Sequence, residues 1–320
     1  MRILEVATSL EEAELVPIDA LRLRYGWSDR DHRIFTRLFG LRSACLHDGL
    51  SLKECLGLSL AKLMSRNAAM FGRIDGLIYC HALNDPMPFD QPILDDLARR
   101  FLGGCPDVMS VTHSACASSI SILEYLSSVA QSLPDKRYFV ILTGEKCFDA
   151  VLQYAAQSGL FGEASTAVLV DVHATSRAGI KFVSSAHGRI AGVYDPVVKL
   201  DLAMRNYYDE AYIPTIVSVV RSALMRGGIE VGQLSAFLPT HLSPFTFDKV
   251  ATQLGIPRIR IVKDNLYTLG HCFCGDAFIN LHAWLKGSRG GHGDQYAMTF
   301  AAGMTGTFAA MILKKEIDDD

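Results

Sequence analysis

One cysteine, two histidines and a run of small residues have the types and spacing to do chemistry. Cys116 lies in Val111-Thr112-His113-Ser114-Ala115-Cys116-Ala117-Ser118-Ser119-Ile120. There an apolar strand pattern gives way to small residues and then to an amphipathic helical pattern. Small residues permit a tight strand-to-helix turn. A cysteine at a helix start meets free N–H groups and the positive end of the dipole, which favour thiolate over thiol. A thiolate is the competent nucleophile toward a thioester or another activated acyl group. A small buried cysteine in a packed turn has the same spacing, so both readings stay open here.

The imidazoles stand in Phe237-Leu238-Pro239-Thr240-His241 and in Thr268-Leu269-Gly270-His271. Either alone reads equally well as a satisfied structural histidine. Together with Cys116 they form the minimum set for thiolate chemistry with two electrophilic stabilisers. The run Thr299-Phe300-Ala301-Ala302-Gly303-Met304-Thr305-Gly306-Thr307 would let backbone N–H groups approach a ligand oxygen, as an oxyanion hole needs. It reads equally as a turn between two core strands. His271-Cys272-Phe273-Cys274 is the nearest approach to a metal cluster. It lacks a second half at zinc-site spacing, so no metal is expected. A cysteine hydrolase would need a carboxylate or amide to orient its histidine. Asp276, five residues beyond His271, is the only nearby candidate, and that reading is disfavoured.

The elements that must position these groups alternate between helix and strand along all 320 residues, which argues for a layered α/β fold. The spacing predicts helices over 12–25, 50–67, 117–132, 209–226, 245–254 and 277–286. It predicts strands over 76–80, 108–112, 138–143, 166–172, 180–185, 234–239, 296–301 and 307–314. Each half of the chain has a strand that delivers a reactive residue at its C-terminal end. That suggests two similar halves, 1–172 with the cysteine and 173–320 with both histidines. Residues 288–293 read as a flexible loop. With 31 Lys and Arg against 34 Asp and Glu, the formal charge is −3. This lacks the basic excess that nucleic-acid binding requires. No apolar run has transmembrane or signal-peptide length, so a cytoplasmic protein off the membrane is expected. Its eight cysteines then read as free thiols.

Several short motifs recur in a set order: Ser114-Ala115-Cys116-Ala117, Phe161-Gly162-Glu163, Thr240-His241, Leu254-Gly255-Ile256-Pro257, Gly270-His271 and 300–307. In order and separation this set resembles the β-ketoacyl-acyl-carrier-protein synthase III branch of the thiolase superfamily, over nearly the whole chain. The resemblance implies a five-layered αβαβα fold of two duplicated halves, a homodimer, and a cysteine that takes an acyl chain from a thioester. It makes Cys116 the acylated nucleophile and His241 the first catalytic histidine. His271 stands where most synthase III enzymes have Asn. The N–H groups of Cys116 and Ala302 would form the oxyanion hole. No tightly bound cofactor is implied. The substrate is an acyl-CoA or a phosphopantetheine-linked acyl thioester, with an acyl carrier protein as partner.

The chain also departs from the family pattern. Two imidazoles can hold the enolate formed when a malonyl unit loses CO₂. The leading expectation is therefore a condensing enzyme of specialised fatty-acid or polyketide-type biosynthesis. A non-decarboxylative acyltransferase to an alcohol or amine is the alternative, and a catalytically silent partner subunit is a third reading. The family's CoA-stacking Trp and its Arg neighbour align with Ile34 and Leu38, which favours a carrier-bound donor. Arg33, Arg37 and Arg42 could meet a phosphopantetheine arm or an acidic carrier helix, or form a solvated basic face. His113, Phe89, Thr112 and Leu83 are candidates for the acyl pocket. Gly162-Glu163 replaces the usual Gly-Asp, which changes the expected local loop.

Overall fold

The computed structural model describes residues 1–83, 90–104, 107–146, 154–155, 159–193, 200–287, 294–303 and 306–316. Phe89, Cys105, Cys147, the 288–293 loop, Met304 and Thr305 lie outside them. Among the described residues, nine strands form the main sheet order. In the first half they are β1 (Arg2–Thr8), β2 (Gly76–Cys80), β3 (Asp107–Val111), β4 (Tyr138–Thr143) and β5 (Thr166–Asp171). In the second half they are β6 (Ile180–Arg189), β7 (Leu234–Leu238), β8 (Gln295–Gly303) and β9 (Thr307–Lys315).

The spatial order in the first half is β3-β2-β4-β5-β1, and in the second half β7-β8-β9-β6. The two orders match strand for strand, and so do the directions. β2–β4 and β7–β8 are parallel; β4–β5 and β8–β9 are antiparallel, as are β5–β1 and β9–β6. The second half lacks only a counterpart to β3. There Ile261 makes a single parallel bridge to Phe237, at the place where β3 lies beside β2. A short antiparallel pairing of β1 with β6, Arg2 opposite Lys181 and Ile3 opposite Ile180, joins the two sheets edge to edge.

Period-two alternation divides the side chains between layers. On β9, Phe308, Ala310 and Ile312 face one core, while Ala309, Met311 and Leu313 face another. On β4, Phe139 and Ile141 join that second core, and Val140 and Leu142 enter a third. The shared middle core holds α3 (Ser118–Val129), through Ile120, Leu123 and Leu126, and α6 (Asp276–Gly287), through Phe278 and Leu281. The outer faces are covered by α1 (Leu52–Arg66) and α2 (Asp90–Leu97) on one side. On the other lie α4 (Leu202–Gly227) and α5 (Pro244–Leu254). The result is the expected αβαβα layering. Among the described residues no helix is long and apolar enough to cross a membrane.

The helix predicted over 12–25 is split. Glu14–Pro17 is a strand paired with Ser43–Leu46, and only Ile18–Tyr25 is helical. Pro17 explains the break, because its ring pushes Val16 out of the helical region. α4 begins at Leu202, seven residues earlier than predicted, where the Asp201 side chain caps the N–H of Met204.

Phe278 is fully buried in the middle layer and belongs to the same helix as Asp276. Phe278→Ala is expected to lower unfolding stability by about 3–5 kcal/mol. A urea denaturation series would read this, and a loss below about 1 kcal/mol would contradict the packing described.

Candidate active site

The nucleophile turn is tightly constrained. After β3 the chain enters a 3₁₀ turn at Ala115–Ala117, which leads directly into α3. Ala115 has φ +47°, a region that favours glycine, so an alanine there carries backbone strain. The turn is held by Ser114 N donating to Ser118 Oγ at 3.1 Å, Ala115 N to Thr112 O at 3.0 Å and Thr307 Oγ1 to Ser114 O at 3.0 Å. The end of β8 presses on it. A Cβ at Gly303 would lie 2.3 Å from Thr307 Oγ1 and 2.9 Å from Ser114 O, so only glycine fits. Ala302 therefore lies in the strand end beside the turn. The N–H of Cys116 has no backbone acceptor among the described residues.

The second half of the chain delivers His271 to this turn. Its N–H donates to Leu160 O at 2.7 Å, and its carbonyl accepts from Gly162 N at 2.9 Å. A Cβ at Gly162 would come within 2.3 Å of Leu269 O, which explains the glycine of the Phe161-Gly162 motif. Glu163 anchors the same segment by accepting from His47 N at 2.9 Å and Lys146 Nζ at 2.7 Å. Against this clamp, His271 Nε2 stands 3.3 Å from Cys116 Sγ. Its Nδ1 donates to Asp276 Oδ2 at 2.5 Å. With that proton on Nδ1, Nε2 presents a lone pair to the thiol. A thiol, an imidazole and a carboxylate are thus in line, the arrangement that a nucleophile, its base and an orienting group would need.

Asp276, disfavoured as an orienting group on its spacing of five residues from His271, takes that place in the structure. It opens α6, and a 3₁₀ turn at Phe273–Gly275 swings its carboxylate back beneath His271. Four donors bond it and a fifth nitrogen faces it. Oδ2 accepts from His271 Nδ1, Thr240 Oγ1 at 2.7 Å and His241 N at 2.6 Å. Oδ1 accepts from Cys272 N at 2.7 Å and faces His241 Nδ1 at 3.1 Å. Burial alone would raise its pKa. The charges and hydrogen bonds of His241 and His271 outweigh that and hold it well below the usual carboxylate range. A readable signal existed: Asp276 and Asn280 are four residues apart, on one helical face.

His241 takes a different place from the one expected. Both its nitrogens are spent inside the protein, Nδ1 on Gly270 O at 2.9 Å and Nε2 on Asn280 Oδ1 at 2.9 Å. Its side chain is 0% exposed. The expectation that two imidazoles would bind a substrate carbonyl meets this geometry: one faces the sulfur, and the other lies behind the carboxylate.

The thiol also differs from expectation. Cys116 is 1% exposed. Burial, reinforced by the charges of Glu145 and Asp276, pushes its pKa well above the ordinary thiol value. Desolvation therefore opposes the helix-start effect and favours the thiol, which a neighbouring base would have to deprotonate. Leu83, Phe161 and Phe273 line the space around the sulfur. The two Phe rings stack with centroids 4.9 Å apart, and each is tilted against His271. Phe161 and Phe273 were not foreseen as wall residues. Thr112 is half-buried and His113 is exposed at the turn, outside this apolar wall.

His241, Cys272 and Asp276 could each offer a metal-ligand atom, all within 4.8 Å of one another. These atoms face protons, and a cation would have to displace the hydrogen bonds already made. The described site suits an imidazole–carboxylate pair. The basic residues lie apart from it. Arg30, Arg33 and Arg37, with Ile34 and Leu38, line an open cleft of about 300 Å³. Arg42 lies over the Tyr267 ring, 5.8 Å from its centroid.

Asp276→Asn would remove the charge that fixes the His271 proton on Nδ1. Alkylation of Cys116 by iodoacetamide at pH 7.5, followed by intact mass, is expected to slow by about 100-fold or more. An unchanged rate would show that Asp276 does not support the base.

No curated protein sequence matches the chain. A family model described as the C-terminal domain of 3-oxoacyl-[acyl-carrier-protein] synthase III matches residues 224–315, which include His241, His271 and Asp276. Among solved structures, ChlB3, described as an acyltransferase, superposes with TM-score 0.79 at 15% identity, covering 98% of this chain and 97% of its own. The synthase III of Aquifex aeolicus VF5 gives 0.77 at 16%, covering 98% and 99%. A variant of Xanthomonas campestris OleA gives 0.78 at 13%, covering 98% and 97%. At such identities the likeness speaks for the fold. With the strand order, the layering and the matched C-terminal segment, the chain has a β-ketoacyl-acyl-carrier-protein synthase III-like fold of the thiolase superfamily.

Proposed function

We propose that this protein is an acyltransferase that loads an acyl group from a thioester onto Cys116 and passes it to a hydroxyl or amine. One observation carries the reading: His271 faces Cys116 while Asp276 orients it from behind. His271 Nε2 takes the thiol proton as the sulfur attacks the donor carbonyl. The oxyanion forms beside the N–H groups of Cys116 and Ala302. Collapse expels the donor thiolate, which leaves with the proton from Nε2. In the second half, the acceptor gives its O–H or N–H proton to Nε2 and attacks the acyl carbonyl. Cys116 departs as a thiolate and recovers the proton. A base that cycles one proton is what a heteroatom acceptor requires.

Decarboxylative condensation makes a different demand. It needs N–H donors aimed at the enolate oxygen of the malonyl unit. His241 has given both of its N–H groups to Gly270 and Asn280. That weakens the condensing reading relative to transfer. The direct contact between sulfur and imidazole also argues against a catalytically silent subunit.

The acyl group is apolar at its carbonyl end, because Leu83, Phe161 and Phe273 surround the sulfur. The donor is a carrier-bound phosphopantetheine thioester. Arg30, Arg33 and Arg37 have no carboxylate partner among the described residues and offer charge to phosphate or to an acidic carrier helix. The cleft they line has Ile34 and Leu38 where an adenine-stacking ring would be needed. A homodimer fits the free outer edge of β3, which has no neighbouring strand among the described residues.

Incubation with short and medium acyl thioesters, on CoA and on carrier protein, tests this by intact mass. A single acyl adduct is expected, absent in Cys116→Ala, and discharged by an amine or alcohol without CO₂ release. Release of CO₂ from a malonyl thioester by the acylated protein would favour condensation. Discharge by water alone at the same rate would favour hydrolysis.

A further inference from the structure

The neighbours of His241 determine its protonation. Asn280 is oriented by Pro239, since its Nδ2 donates to the Pro239 carbonyl at 2.6 Å. Its Oδ1 therefore faces His241 Nε2 and also accepts from Asn265 Nδ2, each at 2.9 Å. An amide oxygen only accepts, so Nε2 must donate. On the other side, Nδ1 faces Gly270 O at 2.9 Å and Asp276 Oδ1 at 3.1 Å. Both of these also only accept: one is a carbonyl, and Asp276 receives Thr240 Oγ1 and His241 N on Oδ2 and Cys272 N on Oδ1. A ring with two donating nitrogens is an imidazolium.

We infer that His241 is a positioning residue, a buried imidazolium whose charge and N–H groups keep Asp276 ionised and in place so that His271 can serve Cys116 as base. The inference rests on reading Cys116, His271 and Asp276 as one relay. The groups facing His241 are few. Asp276 comes from α6, with His271 across the same carboxylate. Cys272 comes from the turn before α6, and Cys45, on the Ser43–Leu46 strand, feels the His241 charge. Asn265, Asn280 and Thr240 are neutral. Asp276 is the only carboxylate among them.

The titration follows from this setting. Burial would depress the His241 pKa, but the Asp276 charge and the hydrogen bonds outweigh it and push it up to about 9. A raised imidazole pKa stabilises the fold fully below the ordinary value of 6.5, and that stabilisation is lost as the pH rises through about 9.

Two-bond ¹H–¹⁵N correlation spectra of the full chain test the protonation directly, with His241→Gln used to assign the ring. Both His241 nitrogens are expected to be protonated at pH 7.5 and to lose a proton only near pH 9. A neutral tautomer at pH 7.5 would overturn the inference. A second measurement follows Cys116 alkylation by iodoacetamide against pH. His241→Gln is expected to slow it by about 10–100-fold at pH 7.5, the range seen when a supporting partner is removed. It should also move the midpoint of the profile upward. A wild-type rate and midpoint would refute the positioning role. If His241→Gln fails to fold, the wild-type spectra still decide, with His241 assigned through its neighbours. Neither readout uses an acyl donor or acceptor, so the outcome stands apart from that of the proposed transfer.

Discussion

The site depends on one buried carboxylate. Asp276 accepts four hydrogen bonds, from His271 Nδ1, Thr240 Oγ1 and the N–H groups of His241 and Cys272, and faces His241 Nδ1 at 3.1 Å, and the rest of the centre is placed relative to it. A buried carboxylate with that many donors is an anchor as well as a charge. It fixes the backbone of His241 and Cys272 and the ring of His271 in one act. A single unsatisfied oxygen there would cost about 1–3 kcal/mol or more, so the arrangement is strongly self-selecting. The Thr240-His241 and Gly270-His271 segments, far apart in sequence, share this acceptor and also bond directly, His241 Nδ1 to Gly270 O at 2.9 Å.

The duplicated halves explain why nucleophile and base come from opposite ends of the chain. Each middle-layer helix is entered through a 3₁₀ turn whose first residue has positive φ: Ala115 before α3 and Phe273 before α6. Each is followed by a buried cysteine, Cys116 in one turn and Cys274 in the other. Cys274 Sγ donates to Ala115 O at 3.3 Å, so the two turns touch. One mould has therefore been used twice. In the first half it presents the Cys116 thiol to His271. In the second it packs its thiol inward and presents the preceding histidine and the following aspartate. Strain appears at both positions, which fits turns that must bring backbone and reactive side chains close together.

Much of this was legible in sequence, and the limits are physical. The strand-to-helix turn at Cys116 and the strand end at His241 follow from local patterns of small, apolar and β-branched residues. The layering follows from alternation within strands such as 138–143 and 307–315. The helix over 12–25 failed because Pro17 acts on Val16 through sterics while a distant strand, Ser43–Leu46, supplies the partner. Asp276 failed for another reason. Five residues is not a helical repeat, and only the intervening 3₁₀ turn closes the distance to His271. A helix start at Cys116 is visible in sequence, whereas the burial that pushes its pKa up is not. Burial depends on which rings close over the sulfur, and Phe161 and Phe273 come from segments more than 100 residues apart.

Two imidazoles share one carboxylate, and the site works only if they divide the protons unequally. In the proposed transfer His271 keeps a lone pair on Nε2, since that atom would receive the thiol proton. A second full positive charge on His271 would leave two buried cations against one anion, with net charge to desolvate. His241 is the better place for the permanent proton, because acceptors surround it on both sides and substrate cannot reach it. His271 has an acceptor on one side and a thiol on the other. The thiol, pushed up by its burial, does not compete for ionisation at rest. In the proposed transfer the relay would stay quiescent until an acyl carbonyl arrived to receive the sulfur's electrons, with the carboxylate beneath it already balanced.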